Sequence, residues 1–141
     1  MACSMIRPLI GKKWMMHGLT TQPAAEPLVR PKNSTKELLV VIPDRPNVLE
    51  RRLAIRPRHS PNFVRLHQQG YVSWAGPLFE KHVSEGIQRP FKGSAMVVNE
   101  EDMEFLKQTL SSDVYIKEGV WDMENALIVP FRTTMRWQRS K

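Results

Sequence analysis

Three short runs, LLVVI at 38–42, MVV at 96–98 and ALIV at 126–129, most narrow what this chain can fold into. Each is apolar at every position, and because successive side chains of a strand point to opposite faces, each calls for cover on both. All are far shorter than the roughly 18 to 20 apolar residues of a membrane-crossing helix, so they read as buried strands and no membrane partner is expected. A chain of 141 residues is long enough for one modest core.

Between these runs the periodicity changes. ELLVVI (37–42) stops at Pro43, and Asn47 with Glu50 three positions on has the form of a capping box that starts a helix. Pro57 and Pro61 disfavour helical geometry at Arg56 and Ser60, which predicts a kink or restart between 56 and 61. The same helix resumes through Phe63 and Leu66 and stops at Gly70. YVSWA (71–75) reads as a second strand ended by Gly76-Pro77, and KGSAMVVN as a third. Asn99 reads as the cap of a helix whose Met103, Leu106 and Leu110 share one face, and NALIVPF supplies a last strand. The order is β-α-β-β-α-β, an α+β ferredoxin-like arrangement. Two helices cover one face of such a sheet. The other is expected to be buried by the same sheet of a second subunit, a homodimer, or by a terminal segment folded over it.

The net charge of +7 raises nucleic acid as a partner until it is located. Residues 1–36 carry six Lys/Arg against Glu26 alone, and residues 132–141 carry four basic residues and no acid. The body keeps eleven basic and thirteen acidic side chains, so only the ends are basic. Residues 1–36, with Arg7, Lys12 and Lys13 among Met5, Ile6, Leu9, Ile10, Trp14 and Met16, read as a mitochondrial transit peptide followed by a proline-rich linker. A disordered arm is the alternative, given Pro8 and Gly11, and would leave the protein cytoplasmic. Residues 37–132 form the domain and 133–141 a basic tail. The RNA-recognition module would need aromatic rings on its third strand, where this chain has Ser94 and Met96, so no specific nucleic-acid binding is expected.

Cys3 is the single cysteine, and His59 and His67, eight apart, are too far along a helix to share one ion, so neither a metal nor a cofactor is expected. His67 reads as a helix-surface or partly buried residue. His59 is the more reactive candidate: at a helix restart with Arg56 and Arg58 beside it, it would face free backbone N–H groups that disfavour imidazolium.

At DRPNVLERRLAIRPRH, GYVSWAGPLFE, FKGSAMVV, SDVYIKEGVWD and VPFR the chain resembles the YciI-like (YCII-related) family, over about residues 37–132. The resemblance implies a dimeric α/β barrel of ferredoxin-like subunits and a catalytic His and Asp pair, here His59 and Asp113. Since the family includes an enzyme that eliminates chloride from a chlorinated hydroxyquinol, it also implies lyase- or isomerase-like proton transfer on a small organic molecule. The family's DPY reads Asp113-Val114-Tyr115 here, and Ser60-Pro61 follows the motif histidine. A carboxylate holding one imidazole nitrogen fixes the tautomer and raises the basicity of the other. Trp74, Tyr115 and Trp121 are candidates to line an apolar pocket, Ser94 to donate into it, and Arg56, with Arg52, to attract an anion, although the two arginines read first as a solvated or ion-paired helix face. The competing reading is a non-catalytic ligand-binding or assembly module in which His59 is structural and Asp113 a turn residue. The long connection 79–93 is either a lid or a mobile loop.

Overall fold

A computed structural model describes residues 36–136. The transit-peptide reading and most of the basic tail fall outside the described residues. Strand β1 (Glu37–Pro43) is followed by helix α1 (Leu49–Gln68), β2 (Val72–Phe79), β3 (Phe91–Val98), α2 (Met103–Ser111), a single-turn α3 (Val114–Lys117), a 3-10 turn (Met123–Asn125) and β4 (Leu127–Phe131). The strands form one antiparallel sheet in the order β2-β3-β1-β4, the ferredoxin-like topology.

The alternation along β1 separates the two faces. Leu38, Val40 and Ile42 are buried with Met96 and Val98 of β3 against Ile55 and Leu66 of α1 and Leu106 and Leu110 of α2. Each such side chain removed from water contributes about 1.5–3 kcal/mol. The opposite face carries Leu39, Val41, Trp74, Leu127, Val129 and Phe131, with Trp74 40%, Leu127 53% and Phe131 38% exposed. Among the described residues, then, the helices cover one side of the apolar strands, and the other side leaves these three large side chains exposed.

Four local expectations are corrected. Asn47 is not the cap of α1: it takes a left-handed conformation (φ 57°) that turns the chain out of β1, and Val48 occupies the cap position with no side-chain bond. Asp102, not Asn99, caps α2, accepting from the backbone N–H groups of Glu104 and Phe105 at 2.9 and 3.1 Å. Asn99 instead donates to the Gly70 carbonyl at 2.6 Å. Strand β2 runs through Gly76-Pro77 to Phe79, since proline is tolerated on an edge strand.

The fourth correction matters for the site. Helix α1 passes Pro57 and Pro61 without a restart. Neither proline has an N–H, so the carbonyls of Leu53 and Pro57 lose their helical partners. Leu53, Pro57 and Pro61 recur at four-residue intervals along the exposed side of α1, so the unpaired carbonyls belong to residues on the solvent side of the helix. The inward stripe of Arg52, Ile55, His59, Phe63 and Leu66 stays continuous. His59 is therefore a mid-helix residue aimed inward, not one facing a helix end.

Candidate active site

Between α1, the β2–β3 hairpin and α3 lies a cavity of about 180 Å3, below the roughly 300–1,000 Å3 of drug-sized sites. His59, Phe63, Ser94, Met96, Tyr115 and Trp121 form most of its wall, and Arg56, Ser60, Ala75, Gly76 and Pro77 its outer part.

His59 is held from three sides. Its Nδ1 lies 2.8 Å from Asp113 Oδ1. Tyr115 stacks on the ring at 3.8 Å between centroids and 11° between planes, Phe63 packs at 4.7 Å, and Trp121 meets it edge-on at 5.1 Å. With Nδ1 engaged by a carboxylate, Nε2 is the nitrogen left for a bound molecule.

Asp113 reaches this position because of the short helix it begins. It caps α3, and its Oδ1 accepts from the Tyr115 backbone N–H at 2.9 Å as well as facing His59. Oδ2 accepts from Asn62 Nδ2 at 3.0 Å. Asn62 is fixed in turn by Arg65, which donates to its Oδ1 at 2.8 Å. The turn role and the histidine-partner role are thus one geometry. Burial by itself would raise the Asp113 carboxyl, but the hydrogen bond and charge of His59, the Tyr115 N–H and Asn62 outweigh it and hold the group below the usual carboxylate value.

A second polar set lies on the cavity floor, and the sequence reading had left its centre, Arg52, on the helix surface. Arg52 is 4% exposed, ion-paired with Asp44, and donates through Nη2 to Ser94 Oγ at 3.0 Å and to the Gly93 carbonyl at 3.3 Å. Its guanidinium sits 4.9 Å from the Tyr115 ring centroid and 5.0 Å from that of Phe91. Trp121 Nε1 also donates to Ser94 Oγ, at 3.1 Å, and Tyr115 Oη to the Arg52 carbonyl at 3.3 Å. Burial pushes Asp44 up despite Arg52, and likewise raises the Tyr115 phenol. Gly93 is required where it stands, because a Cβ there would lie 2.4 Å from the Ile42 carbonyl oxygen.

Of the seven other candidate residues the cavity gathers six: His59, Arg56, Ser94, Tyr115 and Trp121 on its wall, and Asp113 behind His59. Trp74 is not among them. A β-bulge at Ser73 shifts the alternation, so that Val72 pairs with Val98 on the helix side while Trp74 pairs with Val97 on the open face. His67 binds the Val72 carbonyl through Nδ1 at 2.8 Å and takes no part in the site. Among the described residues no cluster of His, Cys, Asp and Glu has the arrangement of a metal site.

No protein-family model matches the chain. Among solved structures, the 5-chloro-2-hydroxyhydroquinone dehydrochlorinase TftG of Burkholderia phenoliruptrix, in complex with 2,5-dihydroxybenzoquinone, is similar over 74% of this chain and 95% of its own, with a TM-score of 0.55 and 17% identity. That likeness defines the class of the fold, a small ferredoxin-like α+β domain. Among proteins similar in sequence, Aspercryptin biosynthesis cluster protein B of Emericella nidulans is 60% identical over 102 residues, which is 72% of this chain and 65% of the relative. Fusaric acid biosynthesis protein 2 of Gibberella fujikuroi is 35% identical over 98 residues, 70% of this chain and 94% of the relative, and Protein YciI of Escherichia coli is 29% identical, over 63% and 89%. The chain belongs to the YciI-like family. It spans just under two thirds of the length of the aspercryptin-cluster relative.

Proposed function

We propose that this domain is a small-molecule enzyme in which His59, held by Asp113, moves a proton to and from a substrate in the cavity. The observation that carries the reading is the 2.8 Å contact between His59 Nδ1 and Asp113 Oδ1, made by a histidine whose ring forms part of the cavity wall. The carboxylate fixes the tautomer with the proton on Nδ1, leaves Nε2 as the base, and stabilises the imidazolium formed when Nε2 takes a proton. The same imidazolium returns the proton to another position or to a leaving oxygen. This is lyase- or isomerase-like chemistry without a cofactor. Relatives named for the biosynthesis of aspercryptin and fusaric acid, and a structural neighbour named as a dehydrochlorinase with a bound quinone, support a small organic substrate.

The test is solvent-deuterium exchange, followed by NMR, into a panel of small enolisable ketones, keto acids and hydroxyquinones. The wild type is expected to accelerate exchange into at least one, and His59→Asn to abolish the acceleration while retaining affinity. If members of the panel bind with no exchange above background, the domain is a binding module.

The reading extends to assembly. The apolar open face, with Trp74, Leu127 and Phe131 exposed upon it, supports a homodimer joined sheet to sheet. Light scattering of the wild type and of Trp74→Asp tests it, and a monomeric wild type counts against it. Mitochondrial import is tested separately, by fusing residues 1–36 to a fluorescent reporter.

A further inference from the structure

Ser94 Oγ is at the junction of the two polar sets, and its hydrogen bonds are fully determined on one side. A serine hydroxyl has two lone pairs and one proton. The lone pairs are taken by Arg52 Nη2–H at 3.0 Å and Trp121 Nε1–H at 3.1 Å. A guanidinium and an indole N–H offer no acceptor, so the Ser94 proton goes to neither. Among the described residues nothing accepts it, although the residue is only 6% exposed and lines the cavity. Two donors directed into one oxygen, one of them cationic, also polarise the O–H bond and make it a stronger donor.

We propose that Ser94 is a dedicated donor to an oxygen of the substrate, and that this restricts the substrate class to small molecules carrying a carbonyl oxygen conjugated to the position that His59 deprotonates. The proposal rests on the proton-transfer reading above. Trp121 links the two groups: its edge meets the His59 ring at 5.1 Å and its N–H holds Ser94. When Nε2 takes the proton, the electron pair of the broken bond delocalises onto the conjugated oxygen, which becomes an enolate or phenolate. That oxygen is where negative charge develops and where the Ser94 hydrogen bond strengthens, while the new positive charge on His59 faces Asp113. Return of the proton to a second position completes an isomerisation. A ligand presenting N–H donors to this point leaves donor facing donor and is rejected. Ser94 is thereby the specificity-determining residue of the site.

The probe is 2,5-dihydroxybenzoquinone, with p-phenylenediamine as a ring of similar size that offers N–H donors. Each is titrated into wild-type protein and followed by NMR at the Trp121 indole N–H and the His59 ring. The quinone is expected to shift both signals, Ser94→Ala to weaken it by about tenfold or more, and Ser94→Thr, which keeps the hydroxyl, to restore affinity to within a few-fold. Ser94→Cys, close in size and a poor donor, serves in place of the alanine variant if that variant does not fold. Equal affinity of wild type and Ser94→Ala or Ser94→Cys overturns the proposal, as does tighter binding of the diamine or no binding of the quinone at millimolar concentration. A quinone that shifts the Trp121 signal and depends on Ser94, with His59→Asn leaving proton exchange unchanged, upholds the donor and sinks the base.

Discussion

Replacing Asp113 with Asn removes one charge and leaves a side chain of nearly the same shape, so its consequences are read from the three bonds the carboxylate accepts. With the amide oxygen in the Oδ1 position, the Tyr115 N–H and His59 Nδ1 keep an acceptor. The amide nitrogen then faces Asn62 Nδ2, donor against donor, and Asn62 cannot turn over without losing the bond its own oxygen accepts from Arg65. An unmatched pair of this kind costs about 1–3 kcal/mol. The bond to a charged partner, worth about 1.5–3 kcal/mol, also reverts to a neutral one. Taken in full at the transition state, where His59 is imidazolium, that loss corresponds to a roughly 10- to 150-fold slower proton transfer. The pH dependence supplies the refutation. Because the folded-state value of Asp113 is depressed, its contribution to stability is present above the unfolded value near 3.9 and disappears as pH falls through the lower folded-state value. Urea unfolding followed by tryptophan fluorescence is therefore expected to show a stability gap between wild type and Asp113→Asn at pH 7 that narrows below about pH 4. A gap that stays constant into acid, or widens, refutes the charge argument whatever the activity shows.

Pro57→Ala restores the N–H that the Leu53 carbonyl lacks. Against a penalty of about 3 kcal/mol for an interior proline and an unfolded-chain effect of about 0.4–1 kcal/mol the other way, it is expected to stabilise by about 2 kcal/mol, seen as a raised melting temperature with catalysis unaltered. Gly93→Ala forces a Cβ to 2.4 Å from the Ile42 backbone oxygen across a paired strand and is expected to cost about 2–3 kcal/mol in chemical denaturation, with loss of the Arg52–Ser94 geometry. Arg56→Gln takes an exposed cation from the cavity wall. It is expected to weaken anionic probes roughly two- to fivefold at low salt, a difference that shrinks as ionic strength rises, as titrations at two salt concentrations would show.

The element order was legible from the sequence because three of the four strands are apolar runs and both long helices carry a 3.6-residue stripe. The positions of the turns were less so: Asn47 and Asn99 have the chemistry of caps, yet the tertiary path needed a left-handed residue at the first and a tie to the Gly70 carbonyl at the second. Trp74 was misplaced because a bulge at Ser73 inverts the strand's alternation, and no single-sequence period reports a bulge. Arg52 was the more avoidable miss. It stands three residues before Ile55 and seven before His59, on the inward stripe, but a charged residue amid other arginines reads as surface unless the stripe outweighs the charge. The prolines misled in the opposite sense, since their four-residue spacing on the exposed side of α1 confines the lost bonds to carbonyls of residues on its solvent side.

The cavity's charges, taken together, indicate which groups are open to a ligand. His59 is hydrogen-bonded to Asp113, the inward cation Arg52 has Asp44 as its internal counter-charge, and Arg56 at the outer wall has no acid paired with it among the described residues. The Arg52–Asp44 pair is the more expensive arrangement: burial raises Asp44 even with the guanidinium against it, and buried pairs of this kind are often matched or bettered in stability by apolar residues of the same volume. Its contribution is accordingly sought in geometry. The pair fixes a guanidinium whose second amino group occupies a lone pair of Ser94, Trp121 occupies the other, and the hydroxyl proton is left with no acceptor in the protein. The floor of the cavity thus offers a ligand one proton donor, the His59 ring offers it one acceptor, and a molecule with a conjugated carbonyl oxygen engages both without disturbing the His59–Asp113 hydrogen bond or the Arg52–Asp44 ion pair.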